Sequence, residues 1–407
     1  MYFFNSLNHF ILRPRNLCYF LAVNAIITDS TIPLSAEIVQ LEQQLNTMLP
    51  NKRLEAKPPA TLLAAAAAWS AAVWQAAEKA GPMPLTTGQI QQGETLARNP
   101  VFICGVHRSG TTLVRNLLDG HPQLCVLPSE GTFYTNQEVK LQQLPSSKRA
   151  SYLGMEWLRR LANPINQAPY WLLGRSTETA SPYVNFARYV LAWWQVLPQK
   201  PGTQWPHMAI VLAYAACTNN LSAGMWVDKT PTNERFLQRI WQEMPNARII
   251  HVVREPLATL SSRKVMEPSI TLRAALRSLK TSYTIAAGQA ELSNERFYLL
   301  KYEELCQGPE AVINRLSTFL NIHHSEVLKN ATVGGVAAKA NSSFNAYTSA
   351  GEILRSTHQK GNAIFSPEET RLISAYLGNE ARALGYSLPK IPRLNGIGLK
   401  IKHRLFI

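Results

Sequence analysis

The chain has 407 residues, 46% hydrophobic and 16% charged, which suffices for one large domain or two modest ones and argues against disorder. Its formal net charge is +15, from 41 Lys+Arg against 26 Asp+Glu. That balance favours anionic partners without choosing among nucleotides, nucleic acid, acidic substrates and membrane surfaces, and a merely solvated basic surface fits it equally.

Residues 1–34 form a leader. Within it, residues 17–27 (LCYFLAVNAII) follow Arg13 and Arg15 in the outline of a short secretory core. Asn24 interrupts that core and no small-x-small cleavage site follows, so a buried segment or an upstream start codon is preferred. No segment approaches the roughly 20 apolar residues of a membrane span. The five cysteines show neither metal-ligand nor redox spacing and read as buried thiols in a reducing compartment. A cytoplasmic location is expected, with membrane association or export as alternatives.

Residues 35–97 read as a helical lead-in packed on a main domain. Ile38, Leu41, Leu45 and Met48 recur at helical spacing after Ser35, a candidate N-cap. An Ala-rich run over 61–80 forms a second helix, stopped by Gly81-Pro82.

From residue 98 the pattern changes to short apolar runs alternating with helices. Strands are expected at 101–106, 124–127, 225–227, 247–253 and 297–301. Helices are expected at 111–118, 232–244, from Pro256 onward and at 309–320. This alternation predicts an α/β fold, a three-layer parallel sheet covered on both faces, with P-loop-like nucleotide-binding topology and the N-terminal helices added. Residues 135–222 break the alternation and read as a largely helical insertion that shapes an acceptor site. The main domain is expected over 98–390, with a basic tail over 391–407.

Gly105-Val-His-Arg-Ser-Gly110-Thr111-Thr112 follows the first strand and opens a helix. Such a turn aims backbone N–H groups and the positive helix end at one point, which suits a phosphate. The spacing is that of the P-loop, G-x-x-x-x-G-K-[ST], except that Thr111 replaces the lysine. Without that cation a triphosphate loses its main counter-charge, and Arg108 supplies positive charge from three residues earlier.

The stretch FICGVHRSGTTLVRNLLDGHP resembles the 5′-phosphosulfate loop of sulfotransferases that use 3′-phosphoadenosine 5′-phosphosulfate (PAPS), above all the tyrosylprotein and bacterial branch. The similarity continues through WVDKTPTNERF, PNARIIHVVREPLATLSSR, FYLLKYEEL and SPEETRLISAYLGNEARALGY. It departs at His107, where the family usually has proline. The resemblance implies that Arg108, Ser109, Gly110, Thr111 and Thr112 hold the 5′-phosphosulfate and that Arg254 and Ser262 bind the 3′-phosphate. It also makes Tyr302 a nucleotide contact and Glu130 the catalytic base, once one extra residue is allowed between His121 and Glu130.

Arg108, Glu130, Lys229, Arg254 and Tyr302 all fall just past the carboxyl ends of expected strands, the edge where open parallel sheets bind ligands. Arg108 and Lys229 are expected to stabilise the leaving phosphate in an in-line displacement, by analogy with phosphoryl transfer. PAPS is the expected co-substrate, with no metal and no nucleic acid. The acceptor is left open among small molecules, carbohydrates, lipids and peptides. A P-loop nucleoside or small-molecule kinase and a non-catalytic nucleotide-binding protein are the alternatives. His121 reads as a turn residue and His251 as a satisfied core histidine.

Overall fold

The structure, a computed structural model, describes residues 36–49, 58–164, 169–177, 180–200, 202, 205–292, 295–338, 351 and 364–391. The leader, Ser35 and, save residue 391, the basic tail lie outside them.

The first helices are α1 (Ala36–Thr47), α2 (Ala60–Ala80) and α3 (Thr87–Ala97). Strand β1 (Pro100–Cys104), helix α4 (Thr111–Leu118) and strand β2 (Leu124–Val126) follow. After a π turn (Phe133–Gln137) come α5 (Glu138–Gln142), α6 (Ser146–Ala162), α7 (Pro182–Val196) and α8 (Met208–Cys217). The chain then forms β3 (Met225–Lys229), α9 (Leu237–Glu243), β4 (Arg248–Val253), α10 (Pro256–Met266) and α11 (Leu272–Glu291). It ends with β5 (Phe297–Lys301), α12 (Tyr302–Gln307), α13 (Pro309–Leu320), a small hairpin of β6 (Thr332–Val333) and β7 (Val336–Ala337), and α14 (Pro367–Ala383).

Five strands make one parallel sheet in the order β2-β3-β1-β4-β5, so β1 lies at its centre. Alternate residues of β1 serve opposite faces, as the two-residue period of a strand requires. Val101 and Ile103 pack with α4 and α13, whereas Phe102 and Cys104 join the larger core built from α1–α3 and the helical insertion. Both faces are therefore covered. This is the predicted three-layer α/β fold.

Helices 111–118 and 309–320 and strand 297–301 fall where their periodicity places them. Strand β1 ends at Cys104 rather than at residue 106, and three further segments differ from expectation. Strand β3 runs to Lys229 rather than Val227, because its pairing with β1 continues to Ile103 opposite Lys229. Lys229 thus ends the strand instead of following it. The helix expected over 232–244 opens as a 3-10 turn (Asn233–Phe236). Thr232 is left-handed there, with φ 69, and buried Asn233 and Glu234 point their side chains into the fold. Helix α3 was not expected, since TGQIQQGETLA lacks an apolar stripe; its signal is the capping box of Thr86 and Gln89.

Helix α2 also departs from the expectation that nothing approaches a membrane span. With 21 residues it is long and apolar enough to cross a membrane by length and composition, since alanine supplies both. It buries Leu62, Ala66, Trp69, Val73 and Trp74 as a helical stripe within the larger core, against α6 and α7. His251 is fully buried, with its Nε2 2.9 Å from Ser282 Oγ, but its Nδ1 has no partner, so it is only half satisfied. His121 is buried in the turn before β2, its Nε2 2.9 Å from the His323 carbonyl.

Candidate nucleotide and transfer site

The turn leaving β1 carries two left-handed residues, Arg108 at φ 74 and Gly110 at φ 106. A non-glycine residue held there costs energy and marks a backbone fixed by its surroundings. Gly110 caps α4, leaving the first N–H groups of that helix without intrahelical partners. Inside the turn, the Ser109 hydroxyl is fully buried and has no protein partner. A buried hydroxyl left unpaired beside free helix amides is an anion-binding arrangement. Thr111 is buried and Thr112 half-buried at the start of the same helix.

Two groups of predicted residues converge on this turn. In the first, Arg108 donates from Nε to Ser262 Oγ at 3.0 Å, and Arg254 donates from Nη1 to the Arg108 carbonyl at 3.2 Å. The Arg254 guanidinium also lies 4.6 Å from the centre of the Tyr302 ring, against which Gly110 packs. Arg108, Ser262, Arg254 and Tyr302 therefore share one cationic corner, reached from β1, α10, β4 and β5. Arg254 is buried and Arg108 half-buried there, and cations gathered at one corner favour an anion.

In the second group, Lys229 Nζ stands 2.5 Å from Glu130 Oε1. The lysine side chain is 4% exposed and the glutamate 39%, so the carboxylate is the open end of the pair. Burial alone would raise the Glu130 pKa, but the Lys229 ammonium, joined by the charges of His107 and Arg115, holds the carboxyl below its usual value. Burial pulls Lys229 below the ordinary lysine value, opposed by Glu130. His107 projects nearby, its imidazole lowered mainly by burial and raised in part by the Glu130 charge.

Sequence reasoning missed the residues that hold these groups. Asp228, fully buried, accepts from the Gly131 N–H at 2.7 Å, from the Thr230 hydroxyl at 3.0 Å and from Asn233 Nδ2 at 3.2 Å. Burial pushes its carboxyl up to about 6. Glu234 accepts the Gly105 N–H at 3.0 Å and ties the phosphate-type turn to the exit of β3. Arg115 donates to the Pro128 carbonyl at 2.6 Å, and Arg160 reaches the carbonyls of Glu130 and Gly131. An acid at a strand end, as in WVDKTP, was the available signal for Asp228. No local pattern announces the two arginines. Among the described residues no group of three or more His, Cys, Asp or Glu side chains is placed to hold a metal ion.

A five-stranded parallel sheet with an anion-type turn at the exit of its central strand defines an α/β protein of P-loop-like topology. The sequence model of the sulfotransferase family matches residues 100–326, more than half of the chain, and the protein belongs to that family. Among solved structures, it is similar to the sulfotransferase domain of the Synechococcus PCC 7002 olefin synthase, at 20% identity over 76% of this chain and 96% of that one, with a TM-score of 0.37. The sulfotransferase domain of the curacin biosynthetic pathway shows 20% identity over 72% and 99% of the two chains, with a TM-score of 0.42. Sulfotransferase STF1 of Mycobacterium tuberculosis H37Rv shows 13% identity over 77% and 90%, with a TM-score of 0.36. A comparison with curated proteins finds no match.

Proposed function

We propose that this sulfotransferase uses PAPS and passes its sulfuryl group to a hydroxyl or amine acceptor by in-line displacement. The observation that carries the reading is the orphaned, buried Ser109 hydroxyl set between the free amides of α4 and the Arg108–Arg254 corner. PAPS brings an activated sulfuryl group on a phosphate leaving group, and a second phosphate on its ribose.

Ser109, Gly110, Thr111 and Thr112 hold the 5′-phosphosulfate through backbone amides and hydroxyls. Arg254 and Ser262 take the 3′-phosphate, where a guanidinium fork and a hydroxyl bracket the anion. Tyr302 supports the nucleotide beside Gly110. Arg108 and Lys229 stabilise negative charge on the departing phosphate oxygen. Glu130, ionised beside Lys229 and open to solvent, accepts the acceptor's proton as the new bond to sulfur forms. Residues 98–390 are the unit assigned to this catalysis. The free thiols of Cys104, Cys125, Cys217 and Cys306 support a cytoplasmic setting.

Thermal unfolding with nucleotides tests the reading. Stabilisation by 3′,5′-adenosine bisphosphate, and none by ATP with Mg²⁺, is the expected result. The reverse pattern would favour a kinase and overturn it. Transfer of radiolabelled sulfate from PAPS to an acceptor panel identifies the acceptor class, and binding without any transfer would support a non-catalytic role.

A further inference from the structure

We infer that Arg160, on helix α6 of the insertion, is a positioning residue that aims the Glu130 carboxylate. The inference rests on the base assignment for Glu130 and adds the device that holds it. Between β2 and the π turn, residues 127–132 run without helix or strand. A carboxylate on such a segment keeps its aim only when its backbone is held from outside.

Here the backbone is held at four consecutive polar groups, from two sides. Arg160 Nη1 donates to the carbonyl of Glu130 and, at 3.3 Å, to that of Gly131; its Nη2 donates to Thr132 Oγ1 at 2.9 Å. From the opposite side, Asp228 accepts the Gly131 N–H at 2.7 Å and Thr230 Oγ1 accepts the Thr132 N–H at 2.9 Å. Gly131 fills the space between: a Cβ there would stand 2.5 Å from Asp228 Oδ1.

The guanidinium is itself fixed. Glu156, one turn earlier on α6, accepts from its Nε and Nη2 at 3.3 Å, and the Trp157 ring lies 5.5 Å from it. Trp157 also stacks on Phe133, the first residue after the held loop, with ring centres 5.9 Å apart. Helix α6 thus grips the base-bearing segment by backbone and ring together. Holding the peptide plane between Glu130 and Gly131 fixes the Glu130 Cα, which lies in that plane, and so the point from which the carboxylate reaches Lys229. The insertion is therefore coupled mechanically to the base.

A double-mutant cycle with Glu130 tests this. Turnover is read as radiolabelled sulfate leaving PAPS, with 4-nitrophenol and with water as acceptors. Arg160→Gln is expected to lower turnover on the order of tenfold to a hundredfold, as a misplaced group does. The apparent KM for PAPS and the thermal stabilisation by 3′,5′-adenosine bisphosphate stay near their unmodified values. In a Glu130→Gln background the same change costs less than about twofold, because the group being aimed is gone. Arg160→Lys, which keeps the charge but not the fork, recovers part of the loss and guards against simple misfolding. Equal factors in both backgrounds, or normal turnover in Arg160→Gln while Glu130→Gln is impaired, would overturn the positioning role alone. Normal turnover in Glu130→Gln itself would overturn the base assignment, and the clamp's catalytic meaning with it.

Discussion

Gly110 lies against the ring of Tyr302 so closely that a Cβ on it would stand 2.3 Å from Tyr302 Cδ2. The contact joins the exit of the central strand to the exit of the sheet's edge strand, and the same ring carries the Arg254 guanidinium. Three elements of the nucleotide corner thus meet at one aromatic ring. Gly110→Ala adds this collision to a backbone at φ 106. It is expected to destabilise the fold by roughly 1–3 kcal/mol and to abolish stabilisation by 3′,5′-adenosine bisphosphate. Adding Tyr302→Ala relieves the collision and not the backbone strain, so denaturation midpoints should recover only in part.

With Glu130 as the proposed base, the Glu130–Lys229 pair is expected to set the acid side of the pH profile. Glu130 works as a base only when ionised, and Lys229 holds its pKa below the ordinary 4.5 against the opposing effect of burial. Turnover should therefore persist to below that pH and fall as pH drops through the depressed pKa. The ion pair's contribution to stability has the same sign, present above the unfolded pKa and lost on acidification. Lys229→Met removes the largest influence opposing burial and is expected to move the acidic limb upward. Glu130→Gln should lower turnover about 10²–10⁴-fold while nucleotide binding survives. Initial rates across pH check the turnover statements, urea midpoints across pH the stability one, and titration calorimetry the surviving nucleotide binding.

Arg254 is expected to distinguish nucleotides by their 3′-phosphate. Its loss removes charge-assisted hydrogen bonds of about 1.5–3 kcal/mol, a tenfold to roughly hundredfold weakening. Titration calorimetry of Arg254→Ala should show that weakening for 3′,5′-adenosine bisphosphate and little change for adenosine 5′-phosphate. Equal losses for both would reject the assignment.

Asp228 makes stability depend on pH in the opposite sense from Glu130. Its folded pKa, pushed up to about 6 by burial, exceeds the ordinary 3.8, so the folded state holds the proton more tightly. Its contribution to stability is full at low pH and declines as pH rises from about 4 toward 6. Asp228→Asn should remove that decline. The amide is accommodated if Asn233 turns over, since its Oδ1 is buried without a partner and would accept the new N–H. Urea midpoints between pH 4 and pH 7 measure the difference.

Much of the sheet and the shape of the turn after β1 was legible in the residue order because both are local. Strand β5 and helices α4 and α13 are contiguous runs whose period alone defines them. The turn from Gly105 to Thr112 is a short spacing of glycines and hydroxyls between a strand and a helix, and its left-handed Arg108 and Gly110 shape the backbone locally. Helix α3 escaped because its periodicity is weak and its burial comes from residues such as Trp193, whose ring tip would lie 2.5 Å from a Cβ at Gly93.

What the residue order could not decide is which distant groups meet. Glu130 and Lys229 lie 99 positions apart, and Arg108 and Ser262 lie 154 apart. Their encounter depends on the parallel crossovers that bring β2, β3, β1 and β4 side by side. Arg160 is the extreme case, an arginine on an ordinary amphipathic helix until the insertion folds back on the loop after β2. Hydrogen bonds and charge act over a few ångströms, so a side chain's role is set by its spatial neighbours. Local order fixes only those neighbours that chain connectivity already supplies.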